Sequence, residues 1–123
     1  MLITGGYDSD GKRLSSSEVW GAKTGCKMKN MTVQRSEHAA AGEIVCGGHS
    51  ADARSTCETL NTTTGVWSRS HTLQHKRVTH VMWRTLVLGG SFSRTTTEEL
   101  QDDGSSENSF TLQHKTEYVH MCW

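Results

Sequence analysis

The side chains able to do chemistry in this 123-residue chain are seven histidines, four cysteines and a set of glutamates and arginines that recur at fixed intervals. The histidines raise metal binding first. His38, His80 and, approximately, His120 fall in one recurring slot, while His75 and His114 belong to the duplicated phrase Thr72-Leu73-Gln74-His75-Lys76 and Thr111-Leu112-Gln113-His114-Lys115. A residue copied with its surroundings serves the copied structure, and the remaining His49 and His71 are too few for a ligand set. Cys26, Cys46, Cys57 and Cys122 show no C-x-x-C spacing, so no zinc site is expected. There is no G-x-S-x-G, no phosphate loop and no H-E-x-x-H. Glu18, Glu58 and Glu98 lie 40 residues apart, one per repeat, which predicts hydrogen bonding within each unit rather than a catalytic carboxylate pair. The expectation is a protein that is not an enzyme and holds no cofactor.

The elements that position these residues repeat. An apolar strand run into a di-glycine occurs as Leu2-Ile3-Thr4-Gly5-Gly6, Ile44-Val45-Cys46-Gly47-Gly48 and Leu86-Val87-Leu88-Gly89-Gly90, with first glycines 42 residues apart. Trp20, Leu60 and Leu100 follow the glutamates in the same phase, a turn glycine follows at Gly25, Gly65 and Gly104, and Arg35-x-x-His38 and Arg77-x-x-His80 precede the next di-glycine. A period of this length marks a repeat architecture whose units cannot bury their apolar faces alone. Apolar runs are short and rich in β-branched and aromatic residues, with Gly, Ser, Thr, Asn and Asp between them, and no window carries a helical stripe. In the second copy, strands are predicted at Ala39 to Ala41, Ile44 to Cys46, Thr56 to Leu60 and Val66 to Arg69. Four short antiparallel strands in about 40 to 50 residues suit a propeller blade.

The order of apolar strand, Gly-Gly, Glu with a large apolar residue, Thr64-Gly65-Val66-Trp67, then Arg and His resembles the kelch repeat, and the segment from Cys57 to Lys115 looks like a group of animal kelch-like proteins of unassigned role. Thr-Gly-x-Trp is whole only in the second copy. Cys26-Lys27 and Ser105-Ser106 stand there in the others, and there is no proline at all, where average usage gives about six. The resemblance implies an all-β, kelch-type β-propeller with three four-stranded blades in one domain: blade one at about 1–30 plus a strand from 117–123, blade two at about 36–70, and blade three at about 78–112.

Met1-Leu2-Ile3-Thr4 enters directly at a di-glycine strand, whereas Glu117 to Trp123 aligns with the segments around His38-Ala39-Ala40-Ala41 and His80-Val81-Met82-Trp83. The first blade is therefore expected to be completed by the C-terminal strand. Propellers run from about 4 to 8 blades, so three need a partner. The expected partner is a second copy, each chain donating its last strand to the other in a six-bladed head-to-tail homodimer; without closure the same contact extends into a filament. A fragment of a longer propeller is the alternative.

Equal numbers of basic and acidic residues, 13 of each, give no field for nucleic acid or membrane. Apolar content of 33% is lean for a lone globule. Cys46 and Cys57 flank the strand B to strand C hairpin symmetrically, a placement satisfied by a cross-strand disulfide or by two buried thiols. Asn30-Met31-Thr32 and Asn61-Thr62-Thr63 are N-glycosylation acceptors in expected loops. With the even cysteine count they point to an extracellular location, the cytoplasm being the alternative.

Loops on such a scaffold carry function. Those after the glycines supply the candidate binding residues Tyr7, Arg13, His49, Arg54, Phe92 and Arg94, with the arginines near one phase and facing a protein or glycan. The expected function is a non-enzymatic interaction or scaffold module that assembles by exchanging its C-terminal strand. An extracellular fibre-forming protein and a copper oxidoreductase resembling galactose oxidase are the alternatives.

Overall fold

A computed structural model describes residues 1–21 and 24–113, and the expected pairing of residues 117–123 with the first sheet lies outside the described residues. Eleven strands form three antiparallel sheets, with no helix among the described residues. The first sheet contains β1 (Leu2–Thr4), β2 (Ser17–Trp20) and β3 (Gly25–Lys27) in that order. The second runs β4 (Ala39–Ala41), β5 (Ile44–Cys46), β6 (Thr56–Asn61) and β7 (Val66–Thr72). The third repeats that order with β8 (Val81–Trp83), β9 (Leu86–Leu88), β10 (Thr96–Leu100) and β11 (Ser106–Thr111). Among the described residues the sheets stay open and no ring closes.

Register obeys the repeat. Thr4 pairs with Ser17, Cys46 with Cys57 and Leu88 with Thr97, so one cross-strand slot is occupied three ways. In both four-stranded sheets the pairing with the outermost strand shifts just before the glutamate, between Cys57 and Glu58 and between Thr96 and Glu98. A bulge of this kind re-aims the side chain that follows it.

The core lies between neighbouring sheets. Met31, Val45, Leu60 and Trp67 are buried together against Leu2, Val19 and Met28 of the first unit. Ala39, Cys46, Cys57 and Leu73 meet Met82, Val87 and Leu100 across the second interface. Trp67 also donates its indole Nε1–H to Ser17 Oγ at 2.8 Å, so its polar edge is satisfied by the neighbouring sheet. Gly47 permits a close approach: a Cβ there would lie 2.5 Å from the His80 ring and 2.7 Å from the Arg77 carbonyl, and its φ of +67° is itself unfavourable for other residues.

Cys46 and Cys57, both fully buried, form a disulfide with their Cα atoms 4.1 Å apart. This resolves the two placements left open by the sequence in favour of the bond. Replacing both by alanine is expected to lower the unfolding free energy by about 2–4 kcal/mol, by releasing the loop constraint on the unfolded chain. Denaturant titration with and without reductant checks this, and coincident midpoints would count against the bond.

Candidate functional site

The second and third units are each built around a buried ion pair that the sequence shows only as separate landmarks. In the second unit Arg35, from the segment ahead of β4, donates Nε–H to Glu58 of β6 at 3.0 Å, with Nη2 paired to the same carboxylate at 3.0 Å and donating to Thr56 Oγ1. Its Nη1 reaches the carbonyls of Gly47 at 2.8 Å, Ala53 at 3.2 Å and Thr56 at 2.8 Å. The third unit repeats this with Arg77 and Glu98, Nη1 bonding Gly89, Ser93 and Thr96 carbonyls. All four side chains are fully buried. The carboxylates also accept backbone N–H groups, from Thr32 on Glu58 and from Gln74 and His75 on Glu98. Each pair therefore clamps the incoming segment, the di-glycine hairpin and the β6 or β10 strand together. Burial opposes the charged form of Glu98, but hydrogen bonds from Ser106 and the Gln74 N–H, with Arg77, outweigh it and hold its pKa below the usual value.

These clamps hold up a row of loops on one side of the repeat. Arg35 N–H bonds the Leu14 carbonyl of the β1–β2 loop, and Arg77 N–H bonds the Arg54 carbonyl of the β5–β6 loop, so each loop is fixed by the next unit. The β1–β2 loop is shaped by Asp8, whose Oδ1 accepts the N–H groups of Asp10 at 2.9 Å and Lys12 at 2.8 Å.

Four of the six candidate binding residues are brought together in pairs. Arg13 donates Nη2–H to His49 Nδ1 at 2.8 Å, joining the first loop to the second. The Arg54 guanidinium lies 5.2 Å from the centroid of the Phe92 ring, joining the second to the third. Tyr7 forms a backbone bridge with Arg13 and donates its hydroxyl to Glu37 at 3.4 Å. Arg94 is exposed on the β9–β10 loop beyond Phe92. Arg13 and Arg54 are each turned onto an aromatic or imidazole ring of the next loop. Phe92 stays 65% exposed and Tyr7 47%, so the joined loops present apolar rings to solvent.

Asn30 and Asn61 are both exposed, and Asn61 Oδ1 accepts the N–H groups of Thr63 and Thr64, a turn that keeps the triplet at the surface. Among the described residues no three His, Cys, Asp or Glu side chains converge as a metal-ligand set, and no helix is long and apolar enough to cross a membrane.

Fold and site together define an all-β chain of three antiparallel sheets whose inter-strand loops are tied from sheet to sheet. Comparison with protein-family models finds none that matches the chain, and comparison with curated proteins finds no match either.

Proposed function

We propose that the chain is a kelch-type β-propeller module that acts by binding a protein or glycan, and that its binding face is the joined β1–β2, β5–β6 and β9–β10 loops. The observation that carries this is the pair of contacts between loops, Arg13 with His49 and Arg54 with Phe92. They fix the loops as one surface before any ligand arrives, which lowers the ordering cost of binding. Phe92 adds support: it holds a φ of 70°, in the left-handed region, while its ring lies mostly in solvent. Backbone strain at an exposed aromatic gains no core packing, and such positions concentrate at ligand contacts.

The test is a screen of immobilised peptides and glycans, with every ligand retained by the parent re-measured on variants. Phe92→Ala and Arg54→Glu are expected to weaken binding by about tenfold or more, a loss typical of an interface anchor. Glu107→Lys, an exposed position on β11, should leave it unchanged. Loop variants that bind as well as the parent, or an array that retains nothing, would overturn the loop-face assignment.

Assembly is the second role, favoured by the first sheet, where β1 occupies an edge among the described residues while the corresponding β5 and β9 are covered by β4 and β8. Exchange of residues 117–123 between copies is expected to give a dimer by light scattering, reverting to monomer when those residues are deleted. A monomeric parent would rule exchange out. The buried Cys46–Cys57 bond supports an oxidising, extracellular setting for either role.

A further inference from the structure

The two N-glycosylation acceptors stand on unequal terms in the fold. Asn61 builds the turn that joins β6 to β7: its Oδ1 accepts the N–H groups of Thr63 at 2.9 Å and Thr64 at 3.2 Å, and its carbonyl accepts Gly65 N–H at 2.8 Å. Each of these bonds spans four residues or fewer, so the turn forms from its own sequence. With Oδ1 held by two donors, the carboxamide of this exposed residue is fixed in orientation and Nδ2 lies on its far corner. Around Asn30 the bonds are long-range. Met31 is buried with its N–H on the Ser15 carbonyl, and Thr32 N–H meets the enclosed Glu58 carboxylate at 2.6 Å, so that triplet takes its shape only once neighbouring units have stacked. Beside the Asn61 turn the seam opens into a groove of about 370 Å³ between residues 27–29 of the first unit and residues 62–65 of the second, within the range of about 300–1,000 Å³ found for small-ligand sites. Lys29 N–H ties the two sides together through the Gly65 carbonyl at 3.2 Å, half-buried Met28 supplies an apolar wall, and Lys27, Lys29 and the threonines bring ammonium and hydroxyl groups.

We propose that Asn61 is the glycosylated acceptor and that the first sugars of its glycan lie in this groove, joining the second unit, which carries them, to the first. In the transfer Nδ2 bonds to C1 of a polyprenyl-diphosphate-linked oligosaccharide, the C1–O bond breaks, the diphosphate leaves with the bonding pair, and Nδ2 gives up one proton; nothing is oxidised or reduced. An N-acetylhexosamine matches the lining: its acetamido methyl rests on Met28, while its hydroxyl and carbonyl oxygens take the lysine and threonine donors. A few polar groups set against an apolar wall orient a ligand in this way. The inference rests on the extracellular setting proposed above, because this transfer is made to chains entering the secretory route. It does not rest on the loop face. β6 runs from Thr56, beside the β5–β6 loop, to Asn61, six residues at about 3.3 Å each, so glycan and loop face stand at opposite ends of the strand.

The full chain is secreted from cultured eukaryotic cells behind a cleavable leader and analysed by intact and peptide mass. Most chains are expected to carry an oligosaccharide at Asn61, released by an amidase that leaves an aspartate in its place, and Asn61→Gln should abolish it. Hydrogen exchange at residues 27–29 and 62–65 should be severalfold slower with the glycan than after its release, while exchange in β11 stays the same. Alkylation of the denatured, unreduced sample reports on Cys46 and Cys57 at the same time. Free thiols there overturn the extracellular setting and this proposal with it. A formed disulfide with Asn61 bare, modification confined to Asn30, or exchange indifferent to the glycan overturns this proposal alone.

Discussion

Replacing Arg77 by methionine should bring the chain close to unfolding, with an expected loss of about 3–5 kcal/mol. The size follows from what is left behind. Glu98 is fully buried, and without the guanidinium its charge would keep only the Ser106 hydroxyl, the Gln74 and His75 N–H groups and the His75 ring. The Gly89 and Thr96 carbonyls would lose a charged donor at the same time. Against a total stability of about 5–15 kcal/mol for a typical domain, this is a large fraction. Arg35→Met should behave alike, since its partners have the same geometry. Removing the stranded charge as well, in Arg77→Met with Glu98→Gln, should recover part of the loss. Denaturant unfolding of the two single variants and the double gives the coupling directly, and additive losses would show that the pair does not act as a unit.

Acid should weaken the fold well above the range where carboxylates titrate. His38 and His80 pack against the first glycine of the preceding unit, His38 accepting or donating a 2.7 Å hydrogen bond with Thr4 and both His80 nitrogens buried. Burial, with the nearby Arg35 charge, depresses His38 to about 4. Burial, then the charges of Arg77 and His38, depresses His80 to about 3. Both rings are therefore neutral in the folded chain, while in the unfolded chain they take up protons near pH 6.5. Stability from this source is complete above that pH and is lost as pH falls toward the folded values, by about 2 kcal/mol per histidine at pH 5. Unfolding midpoints measured from pH 7.5 to 5 test it, and His80→Gln should flatten the curve. Equal stability at the two ends would sink this assignment.

Much of the architecture is visible in the residues themselves. Ala39–Ala41 and Ile44–Cys46 end where their apolar runs meet Gly42 and Gly47, and these are the limits of β4 and β5. β7 continues to Thr72, beyond the expected Arg69, because the bulge at Cys57 and Glu58 lets pairing resume with His71 and Thr72. The opposed cysteines are legible because a hairpin places residues symmetric about its loop across from each other. What is hidden is chemistry across distance. Arg35 and Glu58 stand 23 residues apart and Arg77 and Glu98 stand 21 apart, and no local period links a loop arginine to a glutamate two strands later. The ties between loops are equally silent, since Arg13 meets His49, and Arg54 meets Phe92, only once neighbouring sheets are stacked.

The seam between sheets has a direction. A Cβ on Gly5 would collide with the Arg35 carbonyl and meet the His38 ring, and one on Gly47 would meet Arg77 and His80 in the same way, so at both junctions a glycine socket of one module receives an arginine–histidine plug of the next. The second module carries both, its plug in Arg35 and His38 and its socket in Gly47. A tandem duplication of about 40 residues would thus bring its own compatible joints, and arrays of this design can grow or shrink by whole modules while every junction stays the same.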